Sequence, residues 1–349
     1  MDSKRGLTRR NFLKKGVMVT AIGAACATGM VETASAKSGT YATLIDLTKC
    51  DGCKNEPVPK CVEACRRENE KKFPNPVEPI KDLWPQKTHD DWSKKRDVIN
   101  TLTPYNWTTV QKVDMEGEEI FVPRRCMHCD NPPCANLCPF GALNKYSDGS
   151  VVINHDLCMG GGKCKAVCPW HIPQRQSGVG IYLKFQPIPA GGGVMYKCDL
   201  CHDRIKKGQI PACVEACEKR LGAKKPLFFG RRDAILKIAD ERAKEINGFI
   251  YGEKENGGTA TIYVSKTPFE KIDSKLKEVK SNLTMGKVLN PLRDVNEWAK
   301  GFLIAPLISA LGAIGLAFYE KKQSARLQKP FGGQAKDIAQ SESKKEERQ

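Results

Sequence analysis

The sequence predicts an α+β protein built from duplicated cysteine-rich units and fixed to a membrane by one C-terminal helix. Three observations carry this reading: four cysteine groups of a common design, an export-type N-terminus, and an 18-residue uncharged run at 302–319. The chain has 349 residues, enough for about two domains. Its formal net charge of +17 would ordinarily raise nucleic acid as a partner. Four units of that charge lie in the first 36 residues, and aromatic residues are not interleaved with the basic clusters as single-strand binders need. Nucleic-acid binding is therefore not expected.

In chain order, the first element is the N-terminal segment. Thr8-Arg9-Arg10-Asn11-Phe12-Leu13-Lys14 looks like a twin-arginine export signal. A modestly apolar stretch follows to Met30, and Ala34-Ser35-Ala36 forms an A-x-A cleavage site. Cys26 sits in the apolar stretch as filler removed with the signal. By resemblance, this route carries proteins that have already folded.

The remaining 15 cysteines define the next elements. They fall into four groups: Cys50, Cys53, Cys61 and Cys65; Cys126, Cys129, Cys134 and Cys138; Cys158, Cys164 and Cys168, with Gly161 where a cysteine belongs; and Cys198, Cys201, Cys213 and Cys217. Each opens C-x2-C, or C-x2-G, and closes C-x3-C, an internal repeat. An exported chain would favour disulfides, but the number is odd and the spacings are those of metal ligands. Zinc ribbons use paired C-x2-C knuckles. Here every group closes with C-x3-C, and Pro139 and Pro169 follow two of them, which is the arrangement of bacterial iron–sulfur loops. The short loop wraps three corners of an iron–sulfur cube. The x3 spacing, at the start of a helix, turns the last thiolate towards a neighbouring cube.

With these motifs in view, the chain resembles the four-cluster, ferredoxin-like electron-transfer subunits of the complex iron–sulfur molybdoenzymes. It is most similar to membrane-anchored versions that accompany periplasmic hydrogenases, formate dehydrogenases and multihaem cytochrome c complexes. The likeness rests on "CMHCDNPPCANLCPFGAL", "CPWHIPQRQSGVGIYL", "MYKCDLCHDRI", "FFGRRDAI" and "IYGEKENGGTATIYV", together with the C-terminal helix. It implies two ferredoxin-like double-cluster units, one inserted in the other: groups one and four form the outer unit, groups two and three the inner. It also implies the ligand crossing. One 4Fe–4S cluster would take Cys50, Cys53, Cys61 and Cys217; a second Cys198, Cys201, Cys213 and Cys65; a third Cys126, Cys129, Cys134 and Cys168. The last site has Cys158, Cys164 and Cys138, with a vacancy at Gly161, a ligand set for 3Fe–4S. Two departures stand out: the loop "KNEPVPK" before Cys61 is longer than the common form, and Arg66 and Glu218 replace the following proline in groups one and four.

The resemblance implies a non-catalytic relay between a periplasmic catalytic subunit (hydrogenase or molybdoenzyme) or a multihaem cytochrome c and an integral membrane quinone-interacting subunit. Two other readings stay open from the residues. One is an enzyme that uses the open-corner cluster at Gly161 as a Lewis acid. The other is a structural metal-binding scaffold. His155 and His171 lie near the vacancy and could supply a nitrogen, although a surface or supporting role suits each better. No Ser–His–Asp set, Walker loop or dinucleotide fingerprint appears.

Between the first two groups, residues 66–125 read as ordered wrapping loop. Trp84, Trp92 and Trp107 there are more readily core aromatics than partner contacts. "NWTTVQKVDMEGEEIFVP" alternates like a hairpin turning at Glu116-Gly117. "DAILKIADERAKEI" (233–246) has helical periodicity, and "GGTATIYVS" reads as a strand. Residues 266–300 are polar and are expected to lead to the anchor. The uncharged run at 302–319 would span roughly 27 Å as a helix, about the hydrocarbon thickness. The basic residues after it place the C-terminus in the cytoplasm and the bulk on the periplasmic side of the inner membrane.

The expected partition is: signal, 1–36; first unit with loop and hairpin, 37–122; inserted unit, 123–190; remainder of the first unit, 191–230; extension and linker, 231–300; membrane helix, 301–320; polar tail, 321–349.

Overall fold

The computed structural model describes residues 39–83, 87–115, 117–185, 191–278, 284–292, 314–316 and 318–319. The export signal, Trp84 and most of the expected membrane helix lie outside the described residues. The chain separates into Met1–Pro291 and Leu292–Gln349. In the second unit, residues 314–316 and 318–319 are helical, with Ile314, Leu316, Phe318 and Tyr319 exposed. Among the described residues no helix is long and apolar enough to cross a membrane.

The first unit is mixed α and β. Its elements begin with β1 (Tyr41–Asp46), α1 (Lys60–Asn69), β2 (Thr109–Met115) and β3 (Glu118–Arg124). Next come α2 (Pro133–Asn136), β4 (Leu143–Lys145), β5 (Val151–Ile153), α3 (Lys163–Ala166), β6 (Gln174–Gln176) and β7 (Val194–Tyr196). The last are α4 (His202–Lys206), α5 (Ala212–Leu221), β8 (Leu227–Arg231), α6 (Arg232–Ile246), β9 (Phe249–Tyr251), β10 (Thr261–Ser265) and α7 (Phe269–Glu278).

One four-stranded sheet, in the order β8-β1-β10-β9, joins the start of the unit to its end. Strand β1 pairs antiparallel with β8 and parallel with β10. Because strand side chains alternate, Ala42, Leu44, Ile262 and Val264 face one side of this sheet. There they meet Ile235, Ala239 and Ala243, spaced four apart along α6. Ile45 and Tyr263, on the other face, belong to the larger core that contains the cysteines. Helix α6 stops at Asn247, whose φ of +49° gives a left-handed cap.

The hairpin follows the alternation in the sequence. Its ladder runs from Thr109↔Arg124 to Met115↔Glu118. Gly117, between the two strands, has a φ of +94°. Trp107 is a buried core residue whose Nε1–H donates to the Pro104 carbonyl at 2.8 Å. Trp92 is only half-buried.

One expectation needs correction. Part of the polar stretch 266–300 is structural core rather than a mere lead. Phe269, Ile272 and Leu276 of α7 are buried on one face. Asp273 Oδ1 accepts from the Met285 N–H at 2.7 Å and from the Thr284 hydroxyl at 2.6 Å. Arg124 Nη2 donates to the Thr284 carbonyl at 2.6 Å, so this segment is pinned to the end of β3. Its lysines made the segment look solvated; the apolar residues three and four apart decide its placement.

Candidate cluster-binding sites

The cysteines come together from distant parts of the chain. Helices α1 and α5 pack on one another, and α2 contacts α3. Cys61 and Cys65 both lie on α1, and Cys213 and Cys217 both lie on α5. Four residues apart, each pair shares a helix face but is separated by about one turn, roughly 5.4 Å of rise. One thiol of each pair can therefore serve one site and the second thiol a neighbouring site.

Three cavities result. Cys50, Cys53, Cys61 and Cys217 line one of about 320 Å³, so the long loop before Cys61 still delivers that thiol. Cys126, Cys129, Cys134 and Cys168 line another of about 360 Å³, with Trp170 and Lys197. Cys138, Cys158 and Cys164 line a third of about 380 Å³, together with Gly160, Gly161 and Gly162. The remaining thiols form a fourth set: Cys201 has Cys213, Cys65 and Cys198 as its electrostatic neighbours, and burial and these groups together push its pKa up. All 15 cysteines from Cys50 to Cys217 are free thiols. Among the described residues, no three His, Cys, Asp or Glu side chains are grouped to hold a single metal ion.

The loops repeat in backbone as they do in sequence. The third residue of each C-x2-C or C-x2-G turn is left-handed: Gly52 at φ +66°, His128 at +51°, Gly160 at +67° and Leu200 at +62°. This turn aims a backbone N–H at the first sulfur. Leu200 N donates to Cys198 Sγ at 3.4 Å, and Gly52 and Gly160 do the same for Cys50 and Cys158.

The donor set is chemically suited to iron–sulfur clusters. It is made of soft thiols, the ligands that such clusters take. Burial pushes the Cys50 and Cys164 thiols up to about 12, and Cys168 and Cys217 to about 11. Such thiols ionise when metal displaces their protons. The interior also holds cations in search of negative charge. Arg125 is 1% exposed. Its Nη1 donates to Cys213 Sγ at 3.0 Å, while Nε and Nη2 have no partner. An anionic, thiolate-ligated group bound beside it would supply the missing countercharge.

The space beside Gly161 is open. A Cβ added there would meet nothing within 4 Å. At neighbouring Gly160, by contrast, it would fall 2.4 Å from the Gly193 carbonyl oxygen. Neither His155 nor His171 lines this cavity. His155 packs its ring on Tyr196 at 4.5 Å, and burial depresses its pKa to about 4. His171 is exposed. Sequence reasoning missed Arg125, His128 and Lys197. Their only local signal is adjacency: Arg125 precedes Cys126, His128 precedes Cys129, and Lys197 precedes Cys198.

Comparison with known proteins agrees with this chemistry. Two family models, each described as a 4Fe–4S dicluster domain, match residues 49–142 and 118–223. A curated protein of Nitratidesulfovibrio vulgaris is 34% identical over 280 residues, covering 75% of this chain and 65% of its own length. The Hydrogenase-2 operon protein HybA of Escherichia coli O157:H7 is 28% identical, covering 76% of this chain and 83% of its own. The formate dehydrogenase-O iron–sulfur subunit of Escherichia coli K12 is 32% identical, covering 64% and 66%. The chain thus spans just under two thirds of the Nitratidesulfovibrio relative. Its thiol-lined cavities lie in two 4Fe–4S dicluster domains, and its relatives include iron–sulfur subunits of oxidoreductase complexes.

Proposed function

We propose that this chain is an electron-relay subunit carrying three 4Fe–4S clusters and one 3Fe–4S cluster. Cys50, Cys53, Cys61 and Cys217 hold one cube; Cys65, Cys198, Cys201 and Cys213 another; Cys126, Cys129, Cys134 and Cys168 the third. Cys138, Cys158 and Cys164 hold the three-iron cluster, with no ligand at Gly161. When bound, each cluster supplies a one-electron store. The protein keeps the thiols dry, aims N–H groups at sulfur and sets the spacing between sites. A reduced donor gives up one electron at a time and an oxidised acceptor takes it, with no bond made or broken in this chain.

The observation that carries the reading is the grouping of thiols around separate cavities in a chain related to iron–sulfur subunits. The Gly161 cavity supports a relay over Lewis-acid catalysis. Apart from its cysteines, its lining carries one titratable side chain, Lys163, among apolar groups such as Phe140, Leu143 and Met195.

The partners in this reading are a periplasmic hydrogenase, molybdoenzyme or multihaem cytochrome c and an integral membrane quinone-interacting subunit. The chain would reach the periplasmic face of the inner membrane by twin-arginine export and stay there through its C-terminal helix. Leu137, Phe140 and Leu157 are 39%, 51% and 48% exposed beside the Gly161 site, an apolar rim suited to a partner subunit.

The test is an iron count and EPR of anaerobically purified, mildly oxidised protein. About 15 irons per chain and an S = 1/2 signal near one spin are expected, because oxidised cubes are silent and oxidised 3Fe–4S is not. Protein that purifies without iron, or with redox-inert metal, overturns the proposal.

A further inference from the structure

Two of the thiol sets meet at one place. Cys126, Cys129, Cys134 and Cys168 lie on one side, and Cys65, Cys198, Cys201 and Cys213 on the other. Two buried side chains occupy the ground between them.

His128 sits in the C-x2-C turn of the first set and is fully buried. The Val151 N–H donates to its Nδ1 at 2.9 Å. Nδ1 therefore carries the lone pair and Nε2 the proton. Nε2 lies 3.6 Å from Cys198 Sγ, within reach of a sulfur acceptor in the second set.

Lys197 is 4% exposed and lines the cavity of the first set, while preceding Cys198 of the second in sequence. Its ammonium donates to the Val151 carbonyl and to the Cys198 carbonyl. Both acceptors are neutral, and the nearby Asp199 is held by Lys72 at 2.8 Å. A buried ammonium without a paired carboxylate is costly unless other negative charge stands near. The groups nearest to it in electrostatic effect are Cys126, Cys134 and Cys198, one or more from each set.

We propose that His128 and Lys197 form an electrostatic junction that raises the reduction potentials of these two cluster sites together and connects them by a hydrogen-bonded path. This rests on the relay reading. Reduction adds one negative charge to a site, so a fixed cation and an N–H aimed at sulfur stabilise the reduced form more than the oxidised one. The step moves one electron from one site to the other; Lys197 and His128 keep their protons.

The experiment is a potentiometric EPR titration of the full chain, with sites assigned through single Cys→Ser variants. Lys197→Met is expected to lower the equilibrium constant for reduction on the order of tenfold at the two flanking sites. The Cys50 and Gly161 sites should move less, and Lys197→Arg should restore wild-type behaviour. An unchanged titration, or an equal shift at all four sites, overturns the proposal. If Lys197→Met does not assemble, wild-type protein labelled with 15N-histidine decides it. A 15N hyperfine coupling is expected on the reduced cluster ligated by Cys198, and its absence overturns the junction. Wild-type protein with no redox-active cluster would instead sink the relay reading itself.

Discussion

At position 161 the proposed relay turns on one side chain. A Cβ there meets no neighbour, and the backbone is not left-handed, so cysteine fits without strain. Gly161→Cys is expected to add about one iron per chain and to abolish the oxidised S = 1/2 signal, replacing it with a cube that titrates at lower potential. The measurement is the iron count with EPR before and after the substitution; an unchanged count and signal would mean that something other than the missing cysteine keeps the fourth iron out. The vacancy was legible in the sequence because it breaks a repeat. The roles of His128 and Arg125 were not, because each depends on a thiol far along the chain. Cys198 is 70 residues from His128 and Cys213 is 88 from Arg125. Local spacing cannot show such pairs.

Whole elements were legible where a short period speaks plainly. The hairpin of β2 and β3, helix α6 and strand β10 all lie where alternation or helical spacing puts them. The sheet that assembles them was not legible, since its parallel pair joins Thr43 to Thr261. Helix α7 was hidden for a different reason. Its composition is polar, yet Phe269, Ile272 and Leu276 form a stripe that packs against the hairpin strand β2 and the cysteine core. That packing yields a prediction. Leu276 is fully buried, so Leu276→Ala should cost about 2–5 kcal/mol in transfer and cavity terms. Denaturant unfolding of the cluster-loaded protein, read by circular dichroism, measures this. A loss below about 1 kcal/mol would instead fit a frayed appendage, the surface value.

On the scale of the molecule, the two largest cores among the described residues differ in character. The larger holds most of the cysteine sites, with Arg125 and Lys197 buried among them. The smaller, formed by Ala42, Leu44, Ile235, Ala239, Ala243, Ala260, Ile262 and Val264, contains no cysteine. Without iron, the first core confines bare cations beside protonated thiols, and its cavities lose the atoms that fill them. Buried charge without countercharge and unfilled volume both destabilise. The second core relies only on apolar burial between α6 and the sheet, which iron does not touch. Removing iron by mild oxidation with a chelator should therefore unfold the molecule unevenly. Hydrogen exchange is expected to show protection lost in α1, α2, α3 and α5, the helices that carry thiols, while α6, β1 and β10 exchange last. Reconstitution with ferrous iron and sulfide should restore protection in the cysteine helices. If those helices keep full protection after the iron is gone, thiol ligation is not what holds the larger core together, and the countercharge argument for Arg125 and Lys197 fails with it.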